Sequence, residues 1–157
     1  MTDDKTSAPA SVAKVIRVGA TPKDAFDVFT SRMARWWPKT HSIVGEPQAD
    51  VTMEPQAGGR WFETGESGRT SDWGKVLVWE PPVRLVLTWQ IGPDWTFDPA
   101  LHTEVEVTFT ADATDGTLVR LEHSGLEAYG DKAEEMAAAL AGPDGWPAIL
   151  QQFSLLA

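Results

Sequence analysis

Apolar and polar positions alternate through most of this chain, and that alternation predicts strands. Ser11 to Val18 places Val12, Ile16 and Val18 on one face. Thr103, Val105, Val107 and Phe109 face one way while Glu104, Glu106 and Thr108 face the other. After a turn at Asp115-Gly116, Thr117, Val119, Leu121 and His123 point inward, with Arg120 and Glu122 outward. Val83 to Gln90 puts Val83, Leu85, Leu87 and Trp89 together. Upstream of the Pro81-Pro82 turn, the same rule groups Trp73, Lys75, Leu77 and Trp79 against Gly74, Val76 and Val78. Short strands are expected at Val51 to Glu54 and Arg60 to Thr64, around a turn at Gly58-Gly59.

Two stretches follow helical spacing instead. Thr21 is placed to cap a helix with Pro22 at its first position and Asp24 in its first turn. Phe26, Phe29, Met33 and Trp36 form its apolar face, with a break expected near Thr30-Ser31 and an end at Trp37-Pro38. At the C-terminus, Asp131 and Glu134 form an acidic version of the capping box, and Met136 and Leu140 share a face. Gly142 to Gly145 interrupts the run. Trp146, Ile149, Leu150, Phe153 and Leu156 then recur at helical spacing. Strand, broken helix, about six consecutive antiparallel strands and a long helix predict an α+β meander whose apolar face the terminal helix covers.

The 157 residues suit one domain at 11–157, preceded by a polar tail at 1–10 that is expected to be disordered and lacks the apolar stretch of a secretory signal. There is no cysteine, which excludes disulfides, thiolate nucleophiles and Cys-ligated zinc and fits a cytoplasmic setting. A net charge of −10 disfavours nucleic acid and anionic lipid as partners, and no segment approaches the ~20 apolar residues of a membrane span. Eight tryptophans against one tyrosine fit either core packing or an aromatic wall around a ligand.

Several segments, taken in order, resemble one known family. They are Gly58-Gly59-Arg60-Trp61-Phe62-Glu63, Trp73-Gly74-Lys75-Val76, Glu80-Pro81-Pro82 with Arg84-Leu85, Thr88-Trp89, Thr103 to Val107, Gly116-Thr117 through His123-Ser124-Gly125, and Gly145-Trp146-Pro147 with Leu150. Their pattern is similar to the helix-grip superfamily of START and birch-pollen-allergen-like proteins, and within it to activators of the 90-kDa heat-shock-protein ATPase. The resemblance implies a curved antiparallel sheet wrapped around a long C-terminal helix, with two short helices after the first strand and a cavity between sheet and helix.

Binding of a small hydrophobic or aromatic molecule in that cavity is the favoured function, and a binding role is favoured over catalysis. Chaperone regulation or another stress-response interaction is one alternative; a cyclase or hydrolase pairing His123 with a cavity carboxylate such as Glu63 is the other. The expected ligand-binding set is Phe29, Trp37, Trp73, Trp89, His123, Met136, Trp146, Leu150 and Phe153, with the pocket at the end where Gly142 to Gly145 breaks the helix. For His123 itself, a buried imidazole satisfied by neighbours is favoured over a ligand contact. Arg60 and Glu63 lie on opposite strand faces, which would let one of them point into the cavity, but a surface or rim pair is favoured. His41 lies in a loop near the cavity mouth, and His102 with Glu104 belongs to a solvated strand face. Three scattered histidines without HxH or HExxH spacing predict no metal site, and no cofactor motif is present. A monomer or a homodimer is compatible with the sequence.

Overall fold

The computed structural model describes residues 11–113 and 115–157. The expected tail at 1–10 lies outside the described residues. Seven antiparallel strands form one sheet: β1 (Ser11–Val18), β2 (Gln48–Met53), β3 (Arg60–Gly65), β4 (Thr70–Glu80), β5 (Arg84–Trp89), β6 (Thr103–Asp112) and β7 (Gly116–Ser124). Their order is β1-β7-β6-β5-β4-β3-β2, so strands two to seven form a meander and β1 closes against the last. Helices α1 (Pro22–Thr30) and α2 (Met33–Trp36) connect β1 to β2. A 3₁₀ segment at Leu126–Lys132 leads into α3 (Ala133–Ala141) and α4 (Trp146–Leu156), which the sheet grips.

The break expected near Thr30-Ser31 is where α1 gives way to α2, and the Thr21 hydroxyl accepts from the Asp24 amide at 3.3 Å. The capping box expected at Asp131 does not form. Helix α3 starts two residues later, with Lys132 at the cap position and no side-chain cap. The long terminal helix is in two pieces: Gly142 is extended and ends α3, and Gly145, which precedes α4, packs so closely on the Leu140 and Ala139 carbonyls that any Cβ would collide with them.

The alternation of β6 and β7 is as expected: Thr103, Val105, Val107, Phe109, Val119, Leu121 and His123 are all buried. That of β4 is not. Lys75 and Leu77 are exposed while Val76 is fully buried. Two register shifts explain this, one opposite Trp61/Phe62 and one between Val76 and Val78. Each bulge inserts a residue and reverses the phase of everything beyond it. Trp73, Val76 and Trp79 therefore turn toward the helices at a spacing of three. At the start of β5, Val83 is exposed instead of buried, because it lies in the turn before the strand.

Aromatic rings connect the layers. Phe153 of α4 packs 5.2 Å from Phe29 and 5.3 Å from Trp36, and Phe29 packs 5.9 Å from Phe109 on the sheet. Phe153 has no exposed surface. Phe153→Ala is expected to lower the unfolding free energy by about 3–5 kcal/mol, the usual cost of removing a buried ring. Leu155→Ala, at a residue 72% exposed, should change it by less than about 0.5 kcal/mol. Urea denaturation of both variants checks this.

Candidate functional site

A cavity of about 450 Å³ lies between β4, β5, the segment after α2 and the break between α3 and α4. Its walls include Trp37, Trp73, Trp89, Trp95, Ile91, Leu140 and Ile149; Thr40, His41, Ser42, Asp144 and Gly145 contribute the polar surface. A second depression, of about 480 Å³ along β1 and α3, is lined by Lys14, Glu134 and alanines and has no aromatic wall.

Of the nine residues expected to meet a ligand, Trp37, Trp73 and Trp89 line the cavity. Phe29, Met136, Trp146, Leu150 and Phe153 belong to the packed core, and His123 is buried among the sheet residues; none of the six lines the cavity. The reason is geometric. Apolar periodicity selects the face that points at the helices, and most of that face touches helix side chains directly. The pocket does sit at the helix break, since Asp144 and Gly145 are part of its wall. Trp95 gave no periodic signal because it belongs to a loop. It has φ of 62°, in a region that a bulky side chain rarely adopts, and is 48% exposed at the cavity.

Glu63 is the largest departure from expectation. It is fully buried instead of lying at a rim, while Arg60 pairs outside with Asp72 at 2.6 Å. Its Oε1 accepts from the Ile43 amide at 2.6 Å and from the Trp73 indole at 3.0 Å. Its Oε2 accepts from the Ser42 hydroxyl at 2.6 Å and from the Gln48 amide at 3.1 Å. Among the described residues no basic side chain lies within 4.0 Å of it. A buried carboxyl group must find such donors or be strongly destabilising. Here they come from the segment after α2, which is thereby held against the sheet.

His123 is buried, as expected from strand parity, but it is not at the cavity surface. Trp146 donates its indole N–H to Nδ1 at 3.1 Å. An indole can only donate, so the ring proton sits on Nε2 and is given to the Thr103 hydroxyl at 2.9 Å. Thr103 in turn donates to the Trp89 carbonyl at 2.7 Å. Every polar atom of this imidazole is satisfied, as the favoured reading had it, and no hydrogen bond joins it to Glu63, so the acid–base pair of the alternative reading is not assembled. Burial lowers its pKa from 6.5 to about 3. Tyr129 donates to the Ile91 carbonyl at 2.7 Å, and burial pushes its hydroxyl up to about 12. The Trp89 indole nitrogen weighs slightly against that rise but makes no hydrogen bond of good geometry.

His41 is the histidine at the cavity. Its Nε2 is 2.7 Å from the Asp144 carbonyl, across the helix break, and its Nδ1 is 3.1 Å from the Thr40 hydroxyl. His102 pairs with Glu104 on the exposed face at 2.8 Å, as expected. Among the described residues no group of three potential ligands could hold a metal ion, and no helix is long and apolar enough to cross a membrane.

This sheet, its gripped helices and the cavity between them define a helix-grip protein. The chain belongs to the family of activator of Hsp90 ATPase homolog 1-like proteins, whose sequence profile matches residues 19–157. No curated protein matches it. Among solved structures it is similar to an anthrahydroquino-γ-pyrone synthase, with 37% identity over 96% of this chain and 98% of that one and a TM-score of 0.67. It is also similar to the self-sacrificing resistance protein CalC from Micromonospora echinospora, with 31% identity over 94% and 93% and a TM-score of 0.68. A Nitrosomonas europaea protein at 13% identity, covering 94% and 93% with a TM-score of 0.66, shares the fold. The preference for a non-catalytic role is overturned by the first of these, because a synthase matches nearly the whole chain.

The His123 geometry has a consequence for stability. The folded state holds the imidazole neutral while the unfolded chain protonates it near pH 6.5, so unfolding takes up a proton between pH 6.5 and 3. Stability is therefore full above about pH 6.5 and falls by up to about 1.4 kcal/mol per pH unit below it. Urea titrations between pH 7 and 5, above the range where carboxylates titrate, are expected to show this slope, and His123→Gln should flatten it.

Proposed function

We propose that the chain binds an oxygenated polycyclic aromatic molecule in the indole-walled cavity and carries out a proton-transfer step on it, in the manner of a ring-forming synthase. The observation that carries this is the convergence of four tryptophans and His41 on one space of about 450 Å³. Indole walls favour flat, polarisable ligands, and the volume is in the range of small-molecule sites. The similarity to a pyrone synthase at 37% identity supports both the ligand class and a reaction.

His41 is the residue suited to the chemistry. The Asp144 carbonyl only accepts, so Nε2 carries the proton and Nδ1 of the neutral ring holds a lone pair. Nδ1 is the general base, and the neighbouring Thr40 hydroxyl, also on the wall, is within reach to pass a proton. In this reading Trp37, Trp73, Trp89 and Trp95 bind the ligand, while His123, Trp146 and the Phe29–Phe153 contact keep the walls in place. The chaperone alternative has the family's description behind it and no residue of this cavity.

Tryptophan quenching by 1,8-dihydroxyanthraquinone checks the binding step. Trp95→Ala should weaken it about tenfold, equivalent to ~1.4 kcal/mol, and Leu155→Ala should not change it; equal effects would remove the cavity from the proposal. For the proton step, the protein should speed exchange of the C10 protons of anthrone into deuterated buffer, followed by NMR. His41→Gln should lose most of that acceleration, on the scale of the ~10²-fold or more typical of a positioned base.

A further inference from the structure

The cavity wall is rich in π faces and poor in positive charge. Among the described residues, none that lines it is Lys or Arg. The nearest basic residue along the chain, Lys39, turns its ammonium group to the Gln48 carbonyl at 3.4 Å. Directly behind the wall stands Glu63. Three of its four hydrogen-bond donors, Ser42, Ile43 and Trp73, are themselves wall residues, so the carboxylate is one residue layer from the ligand space. Four neutral donors suit an anion at this position but bring no compensating charge. In a setting of low polarity its field extends into the cavity.

Trp73 joins the two features. Its N–H donates to Glu63, and donation to an anion draws electron density into the indole, whose face attracts a cation. Trp37 packs against Trp73 with ring centroids 4.8 Å apart and the planes tilted by 44°, and both rings belong to the wall. Asp144 adds a further acidic residue at the cavity, and the chain as a whole carries −10.

We infer that the aromatic ligand of this cavity bears a positive charge, as a protonated amine or a ring nitrogen, and that Glu63 acting through Trp73 selects for it. This rests on the reading of the cavity as an aromatic-ligand site and adds the charge of the ligand. The same field weakens the binding of anionic aromatics of the same size.

Three planar three-ring probes test it by calorimetry at pH 8: N-methylacridinium, acridine, which is uncharged there, and anthracene-9-carboxylate. In 0.5 M NaCl, attraction to the distant net charge is screened within a few ångströms, about 4 Å, whereas the buried carboxylate is not. The cation is expected to bind at least tenfold tighter than the anion at this salt, and Glu63→Gln should bring that ratio close to one. Should the variant not fold, the wild-type ratio in high salt decides alone. Equal binding of cation and anion, with acridine also bound, would overturn the charge preference and leave the aromatic-ligand reading standing. Binding of none of the three would overturn both.

Discussion

A carboxylate without a counter-ion in the interior must be surrounded by hydrogen-bond donors, and much of this site follows from meeting that requirement at Glu63. The donors come from three places in the sequence: Ser42 and Ile43 after α2, Gln48 at the start of β2, and Trp73 on β4. Satisfying them draws the polar segment that follows Trp37 down onto the sheet. That segment supplies Thr40, His41, Ser42 and Ile43 to the cavity wall. The contacts of His41 with the Asp144 carbonyl and of Lys39 with the Gln48 carbonyl hold the same segment at other points. The site is thus built around a charge that the ligand never has to touch.

The rest of the interior divides into a packed half and an open half. In the packed half, Phe26, Phe29, Trp36, Phe109 and Phe153 interlock at centroid distances of 5.1 to 5.9 Å with their neighbours. The one-directional chain from Trp146 through His123 and Thr103 to the Trp89 carbonyl ties α4 to β7, β6 and β5. In the open half the helix is broken at Gly142 to Gly145, and no side chain of a continuous helix fills the space. Trp89 belongs to both halves, packing 5.6 Å from Trp146 and facing the cavity. The rigid half positions the walls of the other, which is what a binding site for a flat ligand requires.

Family membership and chemistry are separate matters for such a fold. The family takes its description from a chaperone ATPase activator, while a pyrone synthase and a self-sacrificing resistance protein each share more than 30% of their residues with this chain. What distinguishes members of a common architecture is the content of the cavity, here four indoles, one accessible imidazole and a concealed carboxylate.

Alternation and helical spacing in the sequence were enough to determine the strand meander, the broken first helix, the inward face of β6 and β7 and the position of the interruption in the terminal helix. These are properties of local period, and local period is set by the backbone alone. Only the tertiary structure decided three other things. Bulges in β4 replaced alternation by a spacing of three, because register is a property of two strands and cannot be read from one. The choice between core and cavity among the apolar residues depended on where α3 and α4 stop, so Trp37, Trp73 and Trp89 line the cavity while Phe153 and Trp146 do not. Glu63, His41 and Trp95 acquired their places from contacts with residues far along the chain or from loop geometry. Strand parity with Trp61 turns Glu63 inward, but no linear pattern shows that four donors converge on it, because they meet only on folding.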